Sequence, residues 1–249
     1  ESENRVLAAF PKLTVATIAD GSFMKDFETY LTDQFPFRDA VISAKTLADR
    51  VLGKNEENGI YIGKNGYLFD SQTPYSKDRV KTIAKAVKKF SDKHSDLETA
   101  FILAPNSGYV YSEFLPKYLE LPGQNKQLKS IRKQIESDNI FWPSTASLLK
   151  KNAEKTQLYY KTDHHWTTRG AYLIFKEICL QWGFETSKND IDKKFDFFEV
   201  SSTFEGTLAS TSGVHGTTDK IEICVPEKLE GTYVAYCASS GVKTAPLYF

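Results

Sequence analysis

The N-terminal part of the chain contains apolar residues at helical spacing. Phe23 and Phe27 lie four positions apart within a run of apolar residues at that spacing, which predicts an amphipathic helix that Pro36 ends. A second helix is predicted over residues 37–52, because its apolar positions share one face and a glycine follows it. We therefore expect residues 1–55 to form a helical arm.

Alternating residues around a turn dipeptide predict a β-hairpin. Residues 59–69 read Gly-Ile-Tyr-Ile-Gly-Lys-Asn-Gly-Tyr-Leu-Phe, with apolar residues alternating on both sides of Asn65-Gly66. The Asn-Gly pair favours the positive φ angles of a tight hairpin turn.

Beyond residue 77 the pattern changes to amphipathic helices that alternate with short apolar runs. The predicted helices cover residues 78–94, 125–137, 144–154 and 168–182. The apolar runs, which are typical of strands buried on both faces, cover residues 99–104, 139–142 and 157–160. This alternation predicts a parallel sheet with right-handed helical crossovers. The chain then becomes more β-like, with strands predicted at 204–208, 220–224 and 232–238.

Composition and charge narrow the classes of function. The 249 residues are 41% hydrophobic and 26% charged, as in an ordinary globular protein. Thirty-two basic residues balance thirty-two acidic ones, so no long-range field attracts nucleic acid, and we expect no nucleic-acid partner. No run approaches the roughly 20 apolar residues of a membrane span. The first residues form no signal peptide, and we expect that an N-terminal targeting segment has been removed.

The three cysteines show no CxxC spacing, which argues against a zinc ribbon. Cys179 falls on the apolar face of a predicted helix and is expected to be buried and free. Cys224 and Cys237 flank a predicted hairpin, and the sequence leaves a disulfide between them open.

The chemistry is concentrated in residues 162–166, Thr-Asp-His-His-Trp, between a predicted strand and a predicted helix. Such a strand end is where α/β proteins build ligand sites. In extended chain, residues i and i+2 share one face, so Asp163 and His165 are predicted to meet while His164 points the other way. An aspartate can hold the imidazole tautomer, and the helix N-terminus favours the neutral imidazole that a general base requires.

Two other interpretations of this motif remain open. An Asp-x-His pair is often a structural hydrogen bond without catalytic meaning. The second interpretation is a metal-dependent hydrolase, with Asp163, His164, His165 and the distant His215 as candidate ligands. Adjacent histidines on opposite faces cannot easily meet one ion, and no HxH or HExxH spacing is present, so we expect no metal. His215 is otherwise interpreted as an ordinary loop residue.

Several blocks together resemble one family. Residues 160–166, Tyr-Lys-Thr-Asp-His-His-Trp, resemble the signature of the DHHW family and the Asp-x-His-Trp motif of alginate O-acetyltransferases. Further blocks that resemble the family lie at residues 33–39, 59–63, 66–69 and 204–208. The similarity runs along nearly the whole chain.

The resemblance implies an SGNH-hydrolase-like α/β fold for one domain over residues 1–249. It implies three α/β/α layers around a mostly parallel sheet, with the helical arm in front and a β-rich C-terminal part. It also implies that Asp163 orients His165 as general base, while Thr162 and Trp166 support the loop.

The nucleophile is the point at which this sequence departs from the family pattern. In such proteins a serine lies in an Asp-Ser motif downstream of the histidine, and none follows here, so we expect the nucleophile beyond Phe249. Ser107, just after a predicted strand, is the alternative inside the chain, although it lacks a nucleophile elbow. The amide of Asn106 is a candidate oxyanion donor. Ordinary turn formation competes as an explanation for both residues.

The resemblance implies an extracytoplasmic O-acyltransferase or esterase that acts on a cell-surface or secreted polysaccharide. This chemistry needs no cofactor. The expected partners are a cell-envelope glycan, an unidentified acyl donor and, as a candidate, a membrane acyl-donor protein. The alternative is a non-catalytic carbohydrate-binding or cell-envelope assembly protein with the same fold.

Overall fold

A computed structural model of the chain describes residues 6–71, 76–119, 124–135, 140–185, 187–227, 234–237 and 241–244. Its helices are α1 (Val15–Ala19), α2 (Ser22–Asp33), α3 (Arg38–Val51), α4 (Lys77–Lys93), α5 (Ser107–Val110), α6 (Gln124–Ile135), α7 (Thr145–Asn152), α8 (Thr168–Gln181), α9 (Lys188–Asp192) and α10 (Thr207–Ser212). Its strands are β1 (Glu56–Glu57), β2 (Ile60–Ile62), β3 (Leu68–Asp70), β4 (Thr99–Ala100), β5 (Ile140–Phe141), β6 (Phe195–Phe204), β7 (Asp219–Pro226), β8 (Val234–Cys237) and β9 (Gly241–Thr244). None of the helices in these ranges is long and apolar enough to cross a bilayer.

Helices α1 to α3 lie in the N-terminal part of the chain, within the range for which the sequence predicts a helical arm. The ring of Phe10 packs edge-on against Phe27 and Tyr30 at centroid distances of 5.7 and 5.3 Å. The arm meets the rest of the chain through α3, where the buried Thr46 hydroxyl donates to the carbonyl of Ser212 at 3.2 Å.

The hairpin prediction is confirmed. Strands β1, β2 and β3 form an antiparallel sheet, and the turn at 64–66 places Asn65 and Gly66 at φ angles of 56° and 79°. Alternation along the strands gives the hairpin two apolar faces. One packs against α10, and the other joins the main core, whose buried residues are Tyr67, Phe69, Val110, Tyr111, Leu115, Leu149, Leu158, Tyr159 and Ile174.

The predicted parallel sheet is present only in part. Within the described ranges, β4 and β5 form the parallel pair, covered by apolar residues of α4 and α6. The run at 157–160 does not join them, so the prediction of a mostly parallel sheet was wrong in this part. Its backbone is already paired with the returning chain: Tyr160 donates to the carbonyl of His165 at 3.2 Å, and Thr167 donates to that of Leu158 at 2.9 Å.

The C-terminal part is β-rich, as expected, but its first strand differs from the prediction. β6 ends at Phe204, and residues 207–212 form α10 rather than continuing a strand. The physical reason is that the amides of Leu208 and Ala209 donate to the carbonyl of Thr162 and are unavailable to a sheet. β6 pairs with β7 along its length, and β8 pairs with β9.

The structure shows the state of the two cysteines whose side chains it describes, Cys179 and Cys224. Cys179 is buried and free, as predicted. Cys224 is also a free, buried thiol, so this structure does not contain the disulfide that the sequence left open. The side chain of Cys237 lies outside the described residues.

Gly213→Ala should weaken the contact between the arm and α10. A Cβ on Gly213 would lie 2.4 Å from Ile42 Cγ2, and its φ of +69° is strained for alanine. We expect about 1–2 kcal/mol from the left-handed backbone and about 1–3 kcal/mol more from the clash. Urea unfolding and amide exchange of α3 measure the effect.

Gly183→Ala is the matched control, because Gly183 has a φ of +67° with nothing within 4 Å of an added Cβ. This variant should lose only the stability that the left-handed backbone costs an alanine, without any loss from a clash. Equal losses of stability in the two variants would contradict the proposed arm contact.

Candidate active site

A buried carboxylate fixes the backbone just before the motif. Asp219, 2% exposed at the start of β7, accepts hydrogen bonds from the amides of Lys161 and Thr162, each at 2.9 Å. The Thr162 hydroxyl donates to it at 2.7 Å, and the side-chain amide of Gln157 donates at 2.5 Å. A buried carboxylate without such donors would be strongly destabilising, so this part of the chain has little freedom to move.

Thr162, whose position Asp219 fixes, also binds the start of helix α10. Its hydroxyl accepts from the amide of Gly206 at 3.0 Å, and its carbonyl accepts from the amides of Leu208 and Ala209 at 3.0 and 3.2 Å. The first turn of α10 is therefore held directly beside Asp163.

Asp163 is almost completely buried, with 4% of its surface exposed, and four donors surround its carboxylate. One oxygen accepts from the amide and the Nδ1 of His165 at 2.9 and 2.6 Å. The other accepts from the amide and the hydroxyl of Thr207 at 3.0 and 2.9 Å. Burial opposes ionisation, but the hydrogen bonds from the amides and side chains of Thr207 and His165 together outweigh it and lower the pKa of Asp163 to about 2.

The predicted contact between Asp163 and His165 is confirmed, since the two side chains are 2.6 Å apart. The carboxylate can only accept, so His165 Nδ1 carries a proton, and the neutral ring keeps its lone pair on Nε2. The His165 side chain is 67% exposed. A buried anion thus orients an imidazole whose other nitrogen is accessible, as in the base of an acyl-transfer site.

The prediction that His164 points away from Asp163 was wrong. Its Nδ1 lies 3.0 Å from the Thr207 hydroxyl and 3.9 Å from Asp163 Oδ1. The rings of His164 and His165 lie beside each other with centroids 3.9 Å apart. Residues 161–165 form bends rather than extended chain, so the strand alternation behind the prediction does not apply.

Helix α8 begins directly behind the motif and is tied to β7. Thr167 caps it, accepting from the amide of Gly170 at 3.2 Å, and its hydroxyl donates to the carbonyl of Gln157. Arg169 forms a bidentate ion pair with Glu222, with both contacts at 2.6 Å, and this pairing lowers the pKa of Glu222. The half-buried Trp166 packs against the main core.

Comparison with known proteins places this geometry in a family. Residues 60–236 match the family described as the SGNH hydrolase-like domain of the acetyltransferase AlgX. The chain belongs to this family. The DHHW resemblance of the sequence agrees with it, since a DHHW family protein from Eubacterium siraeum has a similar structure, with a TM-score of 0.57 at 18% identity over 72% of this chain and 57% of that one.

A further solved structure has a similar fold, and curated proteins are similar in sequence. PatB1 from Bacillus cereus, solved with a sulfonyl adduct, gives a TM-score of 0.57 at 17% identity over 75% of this chain and 63% of that one. A probable alginate O-acetylase, AlgJ from Pseudomonas putida, is 22% identical over 66% of this chain and 44% of its own length. The chain thus spans roughly half the length of the curated relatives that it matches.

Asn106 and Ser107, the two additional site candidates, form no hydrogen bond with His165. Asn106 is the N-cap of α5, and its side-chain oxygen accepts from the amide of Tyr109 at 2.9 Å. Ser107 begins the same helix and is only 5% exposed. Among the described residues, no serine hydroxyl forms a hydrogen bond with His165.

Two residues that build the site, Thr207 and Asp219, are not among the candidates that the sequence pattern indicates. Thr207 supplies half of the donors to Asp163, and the block at 204–208 that resembles the family was the available signal. Asp219 gave no signal, because it lies 57 positions from Thr162 in an ordinary strand start. Gly206 allows the close approach, since an added Cβ would lie 2.4 Å from the Cβ of Asp163.

His215 is more than an isolated loop residue. Its Nδ1 lies 2.6 Å from Glu205 Oε2, and the amide of Gly216 donates to the other oxygen at 2.8 Å. This second histidine–carboxylate pair fixes the segment that leads into Thr207.

On acidification, Asp163 should take up its proton at a much lower pH than an ordinary aspartate does. Its folded pKa of about 2 lies below the ordinary 3.8, so the ionised form stabilises the fold above pH 4 by about 2 kcal/mol, and this contribution is lost as the pH falls toward 2. A carboxyl ¹³C titration of the folded protein measures the pKa, with Asp163→Asn to assign the signal. A midpoint at or above 3.8 would contradict the four-donor arrangement.

Proposed function

We propose that this chain carries the aspartate–histidine part of an SGNH-type acyl-transfer site. The 2.6 Å contact between the buried Asp163 and the exposed His165 is the observation that supports the proposal. Asp163 holds the proton on Nδ1 and stabilises the imidazolium. His165 Nε2 takes the proton of a serine hydroxyl as that oxygen attacks an ester carbonyl, and returns it to the leaving alcohol.

The second half of the reaction uses the same groups in reverse. A sugar hydroxyl or water enters, His165 removes its proton, and the acyl group leaves the serine. With a sugar hydroxyl the reaction is a transfer, and with water it is hydrolysis. No step needs a cofactor, because the nucleophile, base and acyl ester supply all the atoms and electrons.

We propose that the nucleophile is a serine beyond Phe249, which approaches His165 from its exposed side. Ser107 fits less well, because it is buried and begins a short helix. Asn106 also fits an oxyanion role less well, since its side-chain oxygen caps that helix. Thr162 and Trp166 act in this proposal as supports of the loop.

The proposed substrate is an acyl ester or a free hydroxyl of a cell-surface or secreted polysaccharide. The names of the AlgJ relatives, probable alginate O-acetylases, support an acetyl group and a glycan acceptor. The reaction would take place outside the cytoplasm, with a membrane acyl-donor protein as the proposed source of acyl groups. Residues 1–249 would form one SGNH-like unit, with 1–55 as its arm.

His165→Ala should slow covalent labelling of the full-length protein by a fluorophosphonate roughly 10²–10⁴-fold, since a general base contributes about that factor. Gel fluorescence over time measures the rate, and mass spectrometry identifies the labelled serine. His94→Ala is the control, because it removes a histidine at the end of α4, packed against Phe90, and should change the rate little.

The 249-residue chain by itself provides the negative control for this experiment. It should hydrolyse p-nitrophenyl acetate no faster than its own His165→Ala variant, because no described serine is paired with the base. Equal labelling of full-length wild type and His165→Ala would contradict the proposal. A full-length protein that binds a polysaccharide without labelling would instead be a non-catalytic binding protein.

A further inference from the structure

The two adjacent histidines share one orientation. Both Nδ1 atoms face the Asp163 side of the pair, with His165 Nδ1 at 2.6 Å and His164 Nδ1 at 3.9 Å from the same carboxylate oxygen. The ring centroids lie 3.9 Å apart. The opposite edges, which carry the Nε2 atoms, therefore face away from Asp163, and both side chains are exposed, at 48% and 67%.

Hydrogen bonding fixes the tautomer of each ring. The single hydroxyl proton of Thr207 goes to Asp163, which can only accept, so the Thr207 oxygen accepts from His164 Nδ1. His165 Nδ1 donates to Asp163 in the same way. Each neutral ring is thus an Nδ1–H tautomer that presents an Nε2 lone pair on the exposed side.

The two carboxylate oxygens of Asp163 already accept four hydrogen bonds. Asp163 therefore fits the role of a support that orients the histidine rings better than the role of a direct metal ligand. A carboxylate or hydroxyl that accepts the N–H of a histidine is the usual support of a metal-binding imidazole, because it fixes the ring and raises its basicity.

We propose that His164 and His165 bind one divalent transition-metal ion such as Zn²⁺ through their Nε2 atoms, with Asp163 and Thr207 as outer supports. Two nitrogens on a tetrahedral zinc lie roughly 3.3 Å apart when each Zn–N bond is 2.0–2.1 Å. The structure brings one candidate ligand atom each of Asp163, His164 and His165 within 4.8 Å of the others. Water or a substrate oxygen completes the coordination.

The ion would occupy the nitrogen that takes the proton in the proposed reaction. Zinc is therefore expected to inhibit acyl transfer, and its removal by a chelator to restore it. This consequence rests on the proposed function, whereas metal binding itself does not. The expectation from the sequence that no metal binds was based on the absence of HxH and HExxH spacing and on His164 and His165 lying on opposite faces. The structure contradicts the second of these grounds.

Zinc titration of the metal-free 249-residue chain by isothermal calorimetry tests the site. The wild type should bind one ion per chain, and Mg²⁺ should produce no binding heat, since imidazole does not suit it. His164→Asn and His165→Asn each keep an amide near the Nδ1 position but remove Nε2, and each should weaken zinc binding at least tenfold. Asp163→Asn should weaken it by about 10–100-fold.

His94→Ala is the matched control, because His94 ends helix α4 and its ring lies against Phe90 at a centroid distance of 4.8 Å. It should leave the affinity within about twofold of the wild type. Absence of zinc binding, equal affinity in either His→Asn variant, or loss of binding in His94→Ala would overturn the proposal. A protein that binds zinc here but fails to label with fluorophosphonate supports this site and counts against the proposed function alone. A protein that labels but does not bind zinc overturns this site alone.

Discussion

The rest of the site depends on the hydrogen bonds made by the buried carboxylate of Asp219. This carboxylate accepts hydrogen bonds from the amides of two consecutive residues, Lys161 and Thr162, and so connects the start of β7 to the chain that leads into the motif. Thr162 in turn holds the first turn of α10, whose Thr207 holds Asp163. A chain of hydrogen bonds thus runs from the interior of the fold to the exposed imidazole.

The site separates a buried anion from an exposed imidazole. Asp219 and Asp163 are stabilised by backbone amides, hydroxyls and ring nitrogens rather than by buried lysine or arginine. Removing one donor from such a buried carboxylate costs more than the bond itself contributes, because the charge then lacks a partner. His165 lies at the surface end of this arrangement, where Nε2 can reach a nucleophile or, as proposed, a metal ion.

Short-range rules predicted the parts of the structure that short-range interactions determine. The hairpin at Asn65-Gly66 and the amphipathic helices follow from turn chemistry and spacing. The contact of Asp163 with His165 is present as predicted, but in a bend rather than in the extended chain from which it was predicted. The rules failed where an irregular local turn or a distant partner determines the structure. The run at 157–160 pairs with its own returning chain, and His164 lies in a bend, so neither strand rule applies. Asp219 is invisible to sequence reasoning because its partners come from residues more than fifty positions away.

The tautomer of His165 in the folded protein tests the account most directly. Long-range ¹H–¹⁵N NMR correlations of the imidazole distinguish a proton on Nδ1 from one on Nε2 without any need for activity. The account predicts the Nδ1–H form in the wild type at a pH where the ring is neutral, and a mixture of tautomers in Asp219→Asn, where the support of Asp163 is disturbed. A neutral His165 protonated on Nε2 in the wild type would contradict it.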